Sequence, residues 1–127
     1  MGRHRDRRRR VARGGETVAA LFLRLKGYRI EARNWRCPLG EIDIVAWDGG
    51  TLVFVEVKTR TGSGAGSPED AVTPEKQRRI ARLAQVYLTH FGGEAPTCRF
   101  DVIAVEGRGW IPRLRHLRAA FRTDGTT

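Results

Sequence analysis

The chain is 127 residues long, enough for one packed core and too short for two. Its composition is 40% apolar, with neither an 18-residue apolar run nor the apolar core of a signal peptide, so a soluble, cytoplasmic protein is expected rather than a helical membrane one. The net charge of +10 is the sign that attracts nucleic acid or another polyanion.

That charge is unevenly spread. Residues 1–13 hold seven arginines against one aspartate, which is +6 of the total. So charged a segment is expected to stay disordered until a partner orders it, and to touch phosphates without reading sequence; the plainer alternative is a solubilising extension. From Gly15 to Lys26 the pattern predicts a helix with Val18, Leu21, Phe22 and Leu25 as its apolar stripe and Gly27 as its stop. Glu16 falls in the first turn, where a carboxylate complements the helix dipole. Tyr28–Arg36 reads as a strand with Arg29, Arg33 and Arg36 near its rim. Trp35 is either a packing residue or a platform for a stacked base, and Trp47 and Trp110 pose the same choice.

Gly40–Arg60, GEIDIVAWDGGTLVFVEVKTR, has two apolar, β-branched runs around Asp48-Gly49-Gly50 and predicts a β-hairpin. Asp43, Glu56 and Lys58 are charges in segments otherwise fit for burial. A two-residue loop at Gly49-Gly50, or a four-residue one from Asp48 to Thr51, sets Asp43 opposite Glu56, with Cβ atoms about 4.5–5.5 Å apart. Lys58 then shares the Glu56 face. A three-residue loop would put the two acids on opposite faces. Two carboxylates that close repel unless a cation lies between them, and oxygen donors suit Mg²⁺ or Mn²⁺. Such an ion with a nearby lysine suits phosphodiester hydrolysis. A cross-strand salt bridge of Lys58 with one acid is the plain structural reading.

Thr61–Asp70, TGSGAGSPED, reads as a mobile connection; without a Gly-Lys-Ser/Thr ending it is no phosphate-cradling loop. Thr73 and Pro74 start a second helix, with Ile80, Leu83, Ala84, Tyr87, Leu88 and Phe91 at helical spacing and Gly92 as its end. Its other face carries Lys76, Arg78, Arg79 and Arg82, a solvated surface or a phosphate-binding ridge to which Arg36 and Arg60 add. Gln77 has Ala81 four residues on and carries little weight; His90 is a surface or packing residue. Cys98–Glu106 is a buried-type strand in which Asp101 either extends the acidic cluster or pairs with Arg99 or Arg33. The segment IPRLRHLRAAF suits a short strand or helix, and its His116 has no second ligand at metal spacing. Cys37 and Cys98 are expected as free thiols.

The order acid, hairpin turn, Glu56-Val57-Lys58 resembles the active-site motif of the restriction-endonuclease-like superfamily, PD-(D/E)xK. The blocks GEIDIVA, VFVEVKTR, AVTPEKQRRI and CRFDVIAV resemble more closely the small bacterial YraN-type family, related to archaeal Holliday junction resolvases, over about residues 14–121. Glu-x-Lys alone is a weak signal, whereas the ordered set of blocks is strong. The resemblance implies an α/β core, a central mixed sheet flanked by helices in the order α-β-β-β-α-β, as one domain over residues 14–122 between disordered tails at 1–13 and 123–127. It implies a metal-dependent endonuclease acting on DNA, with branched or junction structures in repair or recombination as candidate substrates, and a homodimer by analogy. Asp43, Glu56 and the Val57 main-chain carbonyl would hold Mg²⁺ or Mn²⁺, Lys58 would position the attacking water, and Glu16 would be an outer or second-metal ligand. The rival expectation is a non-catalytic nucleic-acid-binding protein that keeps the nuclease scaffold.

Overall fold

The computed structural model describes residues 2–61, 72–107 and 111–121, with side chains from residue 14 onward apart from residues 60 and 61. The expected loop after Thr61, Trp110, the side chain of Arg60 and the tail at 123–127 lie outside the described residues. The elements are α1 (Gly2–Leu25), β1 (Arg29–Cys37), β2 (Gly40–Asp48), β3 (Thr51–Thr61), α2 (Pro74–Leu88), β4 (Thr97–Gly107) and β5 (Arg113–Leu117). The five strands form one mixed sheet in sequence order, parallel at β3–β4 and antiparallel elsewhere. This is the expected α/β order with β5 added as an edge strand.

Side-chain alternation divides the core. Leu52, Phe54, Phe100 and Val102 pack with Ile80, Leu83, Ala84 and Tyr87 of α2. Val53, Val55, Ile103 and Val105 pack with Ala19, Ala20 and Leu23 of α1. Fully burying one such aliphatic or aromatic side chain contributes about 1.5–3 kcal/mol. The α2 cap is as its sequence demands: the Thr73 hydroxyl accepts from Lys76 N at 3.2 Å, and Pro74 opens the helix. The helix ends at Leu88, earlier than the expected stop at Gly92, because Thr89 caps it, donating to the Val86 carbonyl at 2.6 Å.

Helix α1 departs further from expectation. It begins at Gly2, so residues expected as a disordered tail carry helical backbone, and Glu16 is not in its first turn. The dipole explanation for Glu16 therefore falls. The buried face is Gly15, Glu16, Ala19, Ala20 and Leu23, while Leu21 and Leu25 are exposed. Close approach explains this phase: a Cβ on Gly15 would stand 2.0 Å from Thr59 Oγ1 of β3, so no side chain fits at this point of the helix.

The remaining polar expectations resolve into packing. Trp35 meets Tyr87 of α2 edge-on at 5.3 Å, and Trp47 donates to Glu31 at 3.0 Å while packing on Phe91 just beyond the end of α2, so both are packing residues. Glu31, at the one register shift between β1 and β2, also accepts from the Tyr87 hydroxyl. Asp101, fully buried, pairs with Arg99 at 2.9 Å rather than Arg33, and it takes His116 Nε2 at 2.8 Å and Ala119 N at 3.0 Å. His116, expected to stand alone, thus fastens β5 to β4. Cys37 and Cys98 are free. Among the described residues no helix is long and apolar enough to cross a membrane.

Candidate active site

The turn after β2 sets the site. Asp48 pairs with Thr51 across Gly49-Gly50, Gly49 adopting φ +60°, and the register holds to Ile44 opposite Val55. The next pair would be Asp43 and Glu56, and here the ladder stops. Instead of further backbone pairing, Val57 N donates to Asp43 Oδ2 at 2.8 Å. β2 stays paired with β1 as far as Gly40 opposite Cys37, so the β1–β2 hairpin parts from β3 where the two acids lie. Alternation breaks at the same point: Ile42 and Val45 both pack in the α2-side core although an odd step separates them.

The opening is a cavity of about 260 Å³ lined by Gly40, Glu41, Asp43, Glu56, Lys76, Arg79, Ile80 and Leu83. Gly40, at φ +143°, lets the hairpin turn above Leu83 of α2, whose Cδ1 would lie 3.5 Å from an added Cβ. Lys58 Nζ stands 3.4 Å from Glu56 Oε1, so the salt-bridge reading of this pair is part of the geometry. Burial, then the charge of Glu56, pushes the Asp43 carboxyl up to about 7; the Val57 N–H opposes this, and Glu16 and Glu41 add to it. Glu16 is 5% exposed, turned inward by the same helical phase that buries Ala19 and Ala20, with Arg33 Nε 3.4 Å from its Oε1. Arg33 also donates to Thr17, tying β1 to α1 beside the site.

The structure therefore brings Asp43, Glu56 and Lys58 together, with Glu16 close enough to act on Asp43. Among the described residues no three His, Cys, Asp or Glu side chains converge as one ligand cluster. The expected basic ridge divides. Lys76 and Arg79 line the cavity, Arg78 and Arg82 are exposed, and Arg36 donates to Glu41 at 2.8 Å. The Lys58 ammonium beside Lys76, with burial, pulls the Lys76 pKa down. Sequence reading set Lys76 on the outer ridge; the signal for its inward turn was its position three residues before Arg79 and four before Ile80, one helical face.

Three acids, a lysine and an arginine around one cavity where a mixed sheet opens, with Lys58 held beside Glu56, define a small α/β protein with a pocket of mixed charge. The match to known proteins is close: the model of "Uncharacterised protein family UPF0102" fits residues 15–105, and this chain belongs to that family. It is 61% identical over 114 residues to the UPF0102 protein of Symbiobacterium thermophilum, covering 89% of this chain and 97% of that one. It is 50% identical to the UPF0102 proteins of Chlorobaculum parvum, over 84% of this chain and 88% of that one, and of Nocardia farcinica, over 84% and 85%.

Proposed function

We propose that this chain is a metal-dependent endonuclease that hydrolyses phosphodiester bonds in DNA, with branched or junction DNA as the substrate its motif resemblance suggests. The observation that carries this is the pairing of Asp43 and Glu56 in one cavity, with the Asp43 carboxyl driven up by burial and its acidic neighbours, and Lys58 at 3.4 Å from Glu56. Two carboxylates that repel are relieved by an ion held between them, and their hard oxygen donors fit Mg²⁺ or Mn²⁺. Asp43, Glu56 and the Val57 carbonyl would hold the ion, with Glu16 as an outer or second-metal ligand. Such an ion, when bound, supplies Lewis acidity at a phosphate oxygen and an acidified water.

The chain's own residues do the rest. Val57 N–H fixes one oxygen of Asp43, a residue that lines the cavity, and the other oxygen would be the one that meets the ion. Lys58, held by Glu56, orients the attacking water and offsets charge that develops on the phosphate. The exposed Arg78 and Arg82 would contact the backbone away from the scissile bond. A homodimer would suit a two-fold junction.

The test is hydrolysis of single-stranded, duplex, flap and four-way DNA with Mg²⁺, Mn²⁺ and chelator. Metal-dependent products that vanish in Asp43→Asn and Glu56→Gln are expected. Cleavage unchanged in both variants would exclude the assignment. The second reading, a binding protein on this scaffold, is favoured by the Glu56–Lys58 ion pair, which gives both groups a structural role; it predicts salt-dependent binding without any product.

A further inference from the structure

We infer that Lys76 binds the non-bridging oxygens of the scissile phosphate and is the second cation of the reaction, a role that rests on the hydrolytic reading of the cavity. Lys76 lies on the face of α2 shared with Arg79, Ile80 and Leu83, all four lining the cavity that holds Asp43 and Glu56. It is half-buried where Arg78, Arg79 and Arg82 are exposed. The Lys58 charge and burial lower its pKa while Glu56 opposes them, so both groups lie near its ammonium. Among the described residues Lys76 forms no ion pair, whereas Lys58 stands 3.4 Å from Glu56.

Charge balance gives the pair its purpose. Two adjacent ammonium groups repel, and a fold tolerates them where an anion belongs. Once Asp43 and Glu56 are committed to a divalent cation, and with Glu41 already held by Arg36 at 2.8 Å, Lys58, Lys76 and Arg79 are left without counter-charge. A phosphodiester enters with one negative charge and gains a second as hydroxide adds, so the surplus matches the transition state better than the substrate. Lys58 is tied to the ion-holding acid, and Lys76 arrives from the opposite wall. It transfers no proton.

The test uses the full chain with Lys76→Met and Lys76→Arg. Binding of a fluorescein-labelled duplex in chelator is followed by anisotropy across a salt series, and single-turnover hydrolysis is followed in Mg²⁺. Losing one phosphate contact should lower the slope of log affinity against log salt by about 0.9, a roughly eightfold weaker affinity at 0.1 M salt. Lys76→Met should also slow single-turnover hydrolysis by about 10²- to 10³-fold, the range for removing one oxyanion donor, and Lys76→Arg should keep the wild-type slope. A wild-type slope in Lys76→Met, or a reduced slope with an unchanged hydrolysis rate, overturns the inference. If wild-type protein gives no product with either metal, the nuclease reading fails, and the slope in chelator still decides whether Lys76 holds a phosphate.

Discussion

The Asp43 carboxylate accepts the Val57 N–H at 2.8 Å, a side chain standing where the backbone of β2 has ceased to pair with β3. The bond satisfies a donor that the parted strands would strand, and it does so with a charge placed against Glu56. The cost is electrostatic, and it is measurable without any substrate.

In the fold the Asp43 carboxyl titrates at about 7, against about 3.9 when unfolded. A raised carboxyl pKa means that its contribution to stability is intact below pH 4 and is lost as pH rises through 7. In chelator, Asp43→Asn, which keeps an acceptor for Val57, should be more stable than wild type at pH 8 by roughly 1–4 kcal/mol and indistinguishable from it near pH 4. Urea midpoints at the two pH values check this; a variant no stabler at pH 8 removes the strained carboxyl.

Cation binding should reverse that strain. Wild-type Tm should climb with millimolar Mg²⁺ or Mn²⁺, by the equivalent of about 2.7 kcal/mol at a hundred times Kd, while Asp43→Asn and Glu56→Gln stay flat. Differential scanning calorimetry with and without chelator reads the shift, and equal shifts in all three proteins would place the ion elsewhere.

Asp101 is the opposite case. Burial pushes its carboxyl up, but His116, Arg99 and the Ala119 N–H outweigh burial and hold it below the usual carboxylate range. Its stabilisation is therefore present above pH 4 and is lost on acidification. Asp101→Ala leaves Arg99 with Asp48 and Tyr28 but takes the carboxylate from His116 and the Ala119 N–H, and should cost about 1–3 kcal/mol at pH 6, a gap that narrows towards pH 3. Denaturation of both proteins across that range decides it.

Gly15→Ala would ordinarily stabilise a helix by up to about 1 kcal/mol. Here the added methyl meets Thr59 Oγ1, so a loss of about 1–3 kcal/mol is expected. Thr59→Ala should recover most of it, and a double-mutant cycle without coupling would refute the contact.

Legibility followed locality. The Gly49-Gly50 turn and its register were readable because a two-residue loop leaves one pairing, and the start of α2 was readable from Thr73-Pro74. The phase of α1 was not. Leucine and valine outweigh alanine in a periodic pattern, yet the closeness of Gly15 to Thr59 decided that alanines go inward, and that closeness is tertiary. The parting of β2 from β3, the Glu31 register shift and the reach of His116 to Asp101 each join residues whose sequences carry no mark of the other. Lys76 and Arg79 were placed on the right helix, but a run of like charges does not tell these two, which line the cavity, from the exposed Arg78 and Arg82.

The two glycines of the turn lie outside the cavity, yet by count alone they decide which acids meet in it. Inserting or deleting a single codon there would leave every acid and lysine in the gene and turn Asp43 away from Glu56, since one step along a strand reverses its facing. Variation in this family should accordingly be freer in the identity of the turn residues than in their number, and a length change at that bend would mark a relative whose two acids no longer share a cavity.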